Sequence, residues 1–270
     1  MTRAKPTATN GPVASSCALV VAHPDDEILW FSSIVERVDR ILICFLDVPS
    51  RPDWTNGRRR AAEQFPLAHA DFIGLTESET FNGADWSAPV QTDFGLDVKP
   101  RAGVLPGFDG QRYRDNFDRL FDELGRRLQG CTRVFTHNPW GEYGHEEHVQ
   151  VYRVVSSLKA NLGFEVLFSN YCSDRSYPLM LQHNRGFTSD YQTLETNPQV
   201  AKRIEQLYRE SGCWTWPFDD YTWFTHECFM RDAPPAKREV TAGHGFPLNF
   251  IKIESTSAAD SRRSAARRLI

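Results

Sequence analysis

Two short stretches hold the residues whose types and spacing could do chemistry. The first is Val-Val-Ala-His-Pro-Asp-Asp-Glu, residues 20–27, and the second is His-Asn-Pro-Trp-Gly-Glu-Tyr-Gly-His-Glu-Glu-His, residues 137–148. In the first, His23 and Asp26 stand three positions apart behind an apolar run, a spacing that lets an imidazole and a carboxylate converge on one ion. In the second, His145 and His148 are also three apart, unlike His-Glu-x-x-His, whose histidines stand four apart on a formed helix. Each motif also has a reading without chemistry. Pro24 suits a first helical position, and Asp25, Asp26 and Glu27 suit a first turn, where the helix dipole favours anions. A His-x-x-His pair at a helix start can equally be a cap or a surface pair. The dipole accounts for the acids but not for His23. His23, Asp26 and one of the two later histidines make a two-histidine, one-carboxylate set with a position open for water, the pattern of catalytic zinc. Iron(II) takes the same ligand types, so the composition does not select the metal. Asp25 and the remaining histidine would then flank that water.

The elements that must position these residues follow from periodicity. Cys17 to Ala22 is an apolar run of strand length, and Ile28 to Val38 resumes with helical spacing, so the first motif is a strand-to-helix turn. Arg40 to Asp47 reads as a second buried strand. Asn56 to His69 reads as a helix interrupted at Pro66, and Ala70 to Leu75 as a third strand. From Thr76 to Gln111 the chain is rich in Gly, Pro, Asp and Thr; a stretch of this length reads as a binding loop or lid, or as misread short strands. Tyr113 to Leu128 is an amphipathic helix, Arg133 to His137 a strand, Glu146 to Leu162 a helix and Phe164 to Asn170 a strand. The second motif therefore also lies in a strand-to-helix turn. Strands separated by helices give a mostly parallel, doubly wound sheet, and such sheets bind ligands at the C-terminal ends of their strands.

Composition bounds the rest. The chain has 270 residues, 40% of them hydrophobic, enough for one large core. Residues 17–254 read as a single domain between a loose tail over 1–16 and a basic tail over 255–270 that carries Arg262, Arg263, Arg267 and Arg268. With 31 Lys and Arg against 35 Asp and Glu the net charge is −4, which argues against a nucleic-acid surface. No apolar run reaches the ~20 residues of a membrane span. Six cysteines without a Cys-x-x-Cys pair read as reduced, mostly buried thiols, and the expected location is the cytoplasm. The first turn has no Gly-x-Gly-x-x-Gly, which argues against a dinucleotide enzyme. The aromatics between Tyr208 and Met230 read as core packed on the sheet, and Trp140, inside the second motif, as the better candidate for stacking on a sugar.

Ala22-His23-Pro24-Asp25-Asp26-Glu27, taken with Gly144-His145-Glu146-Glu147-His148, resembles the PIG-L (LmbE-like) family of zinc-dependent de-N-acetylases. The second motif departs from the family's commoner His-Pro-Asp-His form, although an acid is kept at Glu147. The resemblance covers Cys17 to about Asn170. It implies a Rossmann-like α/β fold, with one zinc on His23, Asp26 and His148, Asp25 as general base, and protonated His145 stabilising the reacting carbonyl. Tyr143 matches a tyrosine that helps polarise that carbonyl in some members, and Arg60-x-x-Glu63 resembles a weaker motif near the substrate pocket. The expected activity is removal of an N-acetyl group from an N-acetylglucosamine-type amino sugar in a glycoconjugate or glycoside. The alternatives are a zinc amidase acting on a non-sugar amide, such as a thiol conjugate, and a metal-binding or sugar-binding module without turnover.

Overall fold

A computed structural model describes residues 16–183, 191–216, 221–232 and 247–253. The tail expected over 1–16, except Ser16 itself, Phe218 of the aromatic segment, and the basic tail over 255–270 lie outside the described residues. In chain order, strand β1 (Cys17–Val21) leads into the short helix α1 (Asp26–Leu29), then β2 (Arg40–Asp47), α2 (Pro52–Glu63) and β3 (Ala70–Thr76). A small hairpin, β4 (Gln91–Thr92) and β5 (Gly95–Leu96), precedes α3 (Gly110–Arg127), β6 (Arg133–Thr136), α4 (Glu146–Leu162) and β7 (Glu165–Ser169). The remainder is β8 (Tyr171–Ser173), α5 (Tyr177–His183), β9 (Tyr191–Glu195), α6 (Pro198–Glu210), β10 (His226–Arg231) and β11 (Asn249–Ile251).

Seven strands form one sheet in the order β3-β2-β1-β6-β7-β10-β9. The pairs from β3 to β7 are parallel, whereas β10 runs antiparallel to both β7 and β9. The fold is thus α/β with a mostly parallel sheet covered on both faces, as its continuous apolar strands require. Alternation along β1 shows the two cores directly. Leu19 and Val21 pack on one face with Ile28, Phe31, Val200, Ile204 and Tyr208. Ala18 and Val20 pack on the other with Leu120 and Leu124 of α3 and Val151, Val154 and Val155 of α4. All six cysteines are free thiols, and all but Cys17 are buried. Among the described residues no helix is long and apolar enough to cross a membrane.

Three expectations need correction. The helix expected over Ile28–Val38 stops at Leu29. The backbone N–H and hydroxyl groups of Ser32 and Ser33 all donate to the buried carboxylate of Glu227 on β10, which offers this segment a better set of partners than a second helical turn. Pro24 is not the first helical residue, because Asp25 caps α1 in a left-handed conformation with φ 107°. Helix α2 begins four residues before Asn56, with Pro52 in its first turn, and ends before Pro66. By contrast, β3, α3, β6, α4 and β7 lie where the sequence places them, α4 with the same limits.

Candidate metal centre and active site

Strands β1 and β6 are parallel neighbours, paired from Cys17↔Arg133 to Val20↔Thr136, so the turns that follow them open side by side at one edge of the sheet. There the chain leaves β1 toward β2 on one side, and β6 lies on the other; this is the switch point at which open α/β sheets form their ligand crevice. His23, Asp25 and Asp26 come from the first turn, and Tyr143, His145 and His148 from the second. All six are brought together, Tyr143 half-buried and the other five buried.

Asp26 is the hub. Its Oδ1 lies 3.2 Å from His148 Nε2, and its Oδ2 lies 3.3 Å from His23 Nδ1 and 3.4 Å from His137 Nε2. The carboxylate also accepts from Trp30 Nε1–H at 2.9 Å and from the His23 backbone N–H at 2.7 Å. Burial works against its charge, yet His148, the largest opposing influence, holds Asp26 well below the usual carboxylate range. Two clusters with metal-ligand geometry share His148: His23, His145 and His148, and Asp26, His137 and His148. A third joins His23 to Glu77 and Glu147.

The donor set fits a zinc-like ion. Metal–donor bonds of about 2.0–2.1 Å at tetrahedral angles separate neighbouring donors by about 3.3 Å, and Asp26 meets each ring at such a spacing through a different oxygen, Oδ1 at 3.2 Å from His148 and Oδ2 at 3.3 Å from His23. His148 Nε2 is buried and has no hydrogen-bond partner. His23 presents Nδ1 to Asp26 while its Nε2 is held by Glu147 at 2.8 Å, the outer carboxylate that metal-binding histidines require. Burial disfavours charge on His23, but Glu77, Asp26 and Glu147 together raise it to about 10. His137 is the weaker ligand candidate. Its Nε2 accepts the Ala22 N–H at 2.9 Å. Burial lowers its basicity and Glu142 and Asp26 raise it, to about 9; a ring nitrogen that accepts a fixed backbone N–H cannot itself carry a proton, so we assign the neutral ring with its proton on Nδ1.

Asp25 stands apart from Asp26 although adjacent in sequence. Its left-handed backbone turns the carboxyl away from the hub, where Oδ2 accepts from Thr215 Oγ1 at 3.2 Å. Its own N–H donates to Glu27, whose other oxygen accepts from Tyr208. Burial, and then the charges of Asp26 and Glu27, push Asp25 well above the ordinary carboxylate value, with Arg58 and His23 opposing. His145 caps α4 and accepts the Glu147 N–H on Nδ1 at 3.2 Å. Burial, His23 and His148 place it well below the ordinary imidazole value. The sequence reading has it protonated; the structure gives a neutral ring with its proton on Nε2. Burial raises the Tyr143 phenol well above its usual value, so it remains a donor. Its ring packs on Trp30 and Trp216, with centroids at 5.6 and 5.4 Å.

Two expected substrate contacts are not placed at the cluster. Trp140 is fully buried, donates from Nε1 to Tyr171 O at 2.7 Å and packs edge-on against Phe168, so it has no open face for a sugar. Arg60 is exposed and donates to Ser211 O. Arg58, two residues earlier on the same helix, is the buried one, paired with Glu77 beside His23. The loop expected to cover the substrate does reach the site. Ser78 donates to Glu147, and Phe81 stacks on His145 with centroids at 5.0 Å. Sequence reasoning missed Glu77, Phe81, Glu142 and Thr215. Each lies outside the His-plus-acid spacings, and only Glu142 stands inside a motif at all.

No protein-family model matches the chain. Over 168 residues it is 26% identical to the 1D-myo-inositol 2-acetamido-2-deoxy-alpha-D-glucopyranoside deacetylase 1 of Saccharopolyspora erythraea, a stretch covering 53% of each protein. The chain therefore spans about half the length of the curated relative it matches. Among solved structures it is similar to the zinc-inhibited form of teicoplanin deacetylase Orf2 (13% identity, 73% of this chain and 84% of that one, TM-score 0.45). It is also similar to the A40926 pseudoaglycone deacetylase Dbv21 (10% identity, 74% and 82%, TM-score 0.43).

Proposed function

We propose that this protein is a metal-dependent hydrolase that removes an N-acetyl group from an amino-sugar glycoside, with His23, Asp26 and His148 holding one zinc ion. The observation that carries the reading is the division of labour between two adjacent acids. Asp26 sits among imidazoles, whereas Asp25 is turned aside and kept basic. A purely structural pair serving a helix dipole has no reason to split in this way. The curated relative's name adds the substrate class, an acetamido sugar linked to a cyclitol.

Zinc bound there would supply Lewis acidity to a water and to the amide carbonyl. The chain's own groups then do the rest. Asp25, with its raised proton affinity, accepts the proton of the attacking water. His145 donates from Nε2 to the carbonyl oxygen as charge develops, and the Tyr143 hydroxyl donates beside it; each well-placed donor is worth about 3–4 kcal/mol. Asp25 returns the proton to the departing nitrogen, leaving acetate and a free amine.

The test is acetate release from a panel of N-acetylglucosamine glycosides with and without chelator, together with zinc content. Asp25→Asn should keep zinc and lose about 10²–10⁴ in kcat. Asp26→Asn should chiefly lose zinc, with activity partly restored by added metal. An Asp25→Asn protein that turns over near the wild-type rate would falsify the assignment. Release from non-sugar amides alone would leave the chemistry and move the substrate.

A further inference from the structure

Glu142 is the least expected residue of the site. It is a non-glycine residue at φ 49° and is fully buried, in a turn that joins β6 to α4. A left-handed conformation there costs on the order of 1 kcal/mol and persists only where its surroundings over-determine it. They do: its N–H donates to Asn138 Oδ1 at 2.9 Å, and its carbonyl accepts from Ser176 Oγ at 2.6 Å. Carboxylate Oε1 accepts from Asn138 N at 2.8 Å and from Ser169 Oγ at 2.9 Å. Oε2 accepts from two imidazoles, His137 Nδ1 and His148 Nδ1, each at 2.9 Å.

A carboxylate that accepts at both oxygens donates at neither, so both Nδ1 atoms carry protons. For His148 the consequence falls on the other side of the ring. With Nδ1 protonated and pinned, Nε2 is the ring nitrogen left to offer a metal its lone pair, and this buried atom faces Asp26 at 3.2 Å. We propose that Glu142 is a positioning residue that fixes the tautomer and orientation of His148 and thereby sets the affinity of the site for its metal. The proposal rests on the reading of His148 as a metal ligand.

Glu142→Gln keeps the shape and removes this control in either amide orientation. With its oxygen at the Asn138 N–H, the amide nitrogen faces the imidazoles and drives the His148 proton to Nε2, the atom needed for ligation. With its oxygen at the imidazoles, the shared acceptor has lost its charge and an N–H faces the Asn138 N–H. The experiment measures zinc dissociation constants of the full chain by competition with a chromophoric chelator. It also records ring ¹⁵N spectra of the histidines in metal-free protein. We expect wild-type His148 as the Nδ1–H form and zinc about 10–100-fold weaker in Glu142→Gln, with partial recovery in Glu142→Asp. Wild-type His148 found as the Nε2–H form overturns the proposal whether or not the variants fold. So does a folded Glu142→Gln protein that binds zinc within twofold of wild type, and in that case the metal-ligand reading survives. Wild-type protein with Nδ1–H on His148 and no zinc affinity overturns that reading together with the affinity claim.

Discussion

At the scale of single residues, Asp25 shows what the site costs. Its φ of 107° is strained for any side chain, and its buried carboxyl is kept basic by burial and by two neighbouring acids. Both terms oppose folding and both vanish in Asp25→Gly, which adopts that backbone freely. We therefore expect Asp25→Gly to be more stable than wild type by about 1 kcal/mol while being inactive; a lower denaturant midpoint would show that Thr215 and Glu27 more than compensate for the strain. The histidines and acids of the cluster were legible in the sequence because their spacing is local. Their supports were not. His137 Nε2 meets Ala22 across 115 residues and Thr215 meets Asp25 across 190, and neither contact leaves a mark on either segment alone. Trp140 failed as a substrate contact for a related reason: proximity to a motif in sequence says nothing about which face of the ring is open.

At the scale of elements, the departure of the second motif from His-Pro-Asp-His acquires a use. Glu146 Oε1 accepts from Ala84 N–H at 2.8 Å and from Trp86 Nε1 at 3.0 Å, and Glu147 Oε1 accepts from Ser78. The first turn of α4 thus anchors the 77–86 segment, and with it Phe81 against His145. Proline at position 146 could not make this anchor. Glu146→Ala strands two buried donors, at about 1–3 kcal/mol each, and should loosen the segment. The expected result is a KM raised several-fold with zinc content unchanged; unchanged steady-state kinetics would reduce the segment to scaffolding. The shortness of α1 belongs to the same scale. Its apolar spacing reads as helix to Val38, but the acceptor that stops it, Glu227, lies 195 residues away from Ser32.

For the whole molecule, the parallel half of the sheet follows from alternation of strand and helix, and the antiparallel edge does not. Strand β9 (Tyr-Gln-Thr-Leu-Glu) is mostly exposed and polar, and β10 buries an acid at its second position, so neither has the apolar signature that marks β1 or β2. One acid-sensitive point is built into this half of the protein. His183, at the end of α5, is lowered to about 4, chiefly by burial and then by Arg153. The unfolded chain takes up this proton near 6.5. The native state does so only near 4. Acid between those values therefore favours unfolding, and the group's contribution is complete above 6.5 and lost as pH falls toward 4. Melting temperatures of wild type and His183→Asn should diverge across that window, with the variant showing the shallower decline; parallel curves would exclude His183 as the source.

The β1–β6 pairing has a consequence for how the protein comes into being. His23 and Glu147 touch although 124 residues separate them, and they do so only because those two strands are neighbours. The chain made before β6 contains the first motif with Trp30 and Glu77 beside it, but none of the histidines of the second. During synthesis or refolding the centre therefore cannot be completed early: closing the loop between the two strands is the entropic step that completes it. Ion capture would in that case report the seam between the early and late halves of the chain, and would favour the docked state from the moment of its formation.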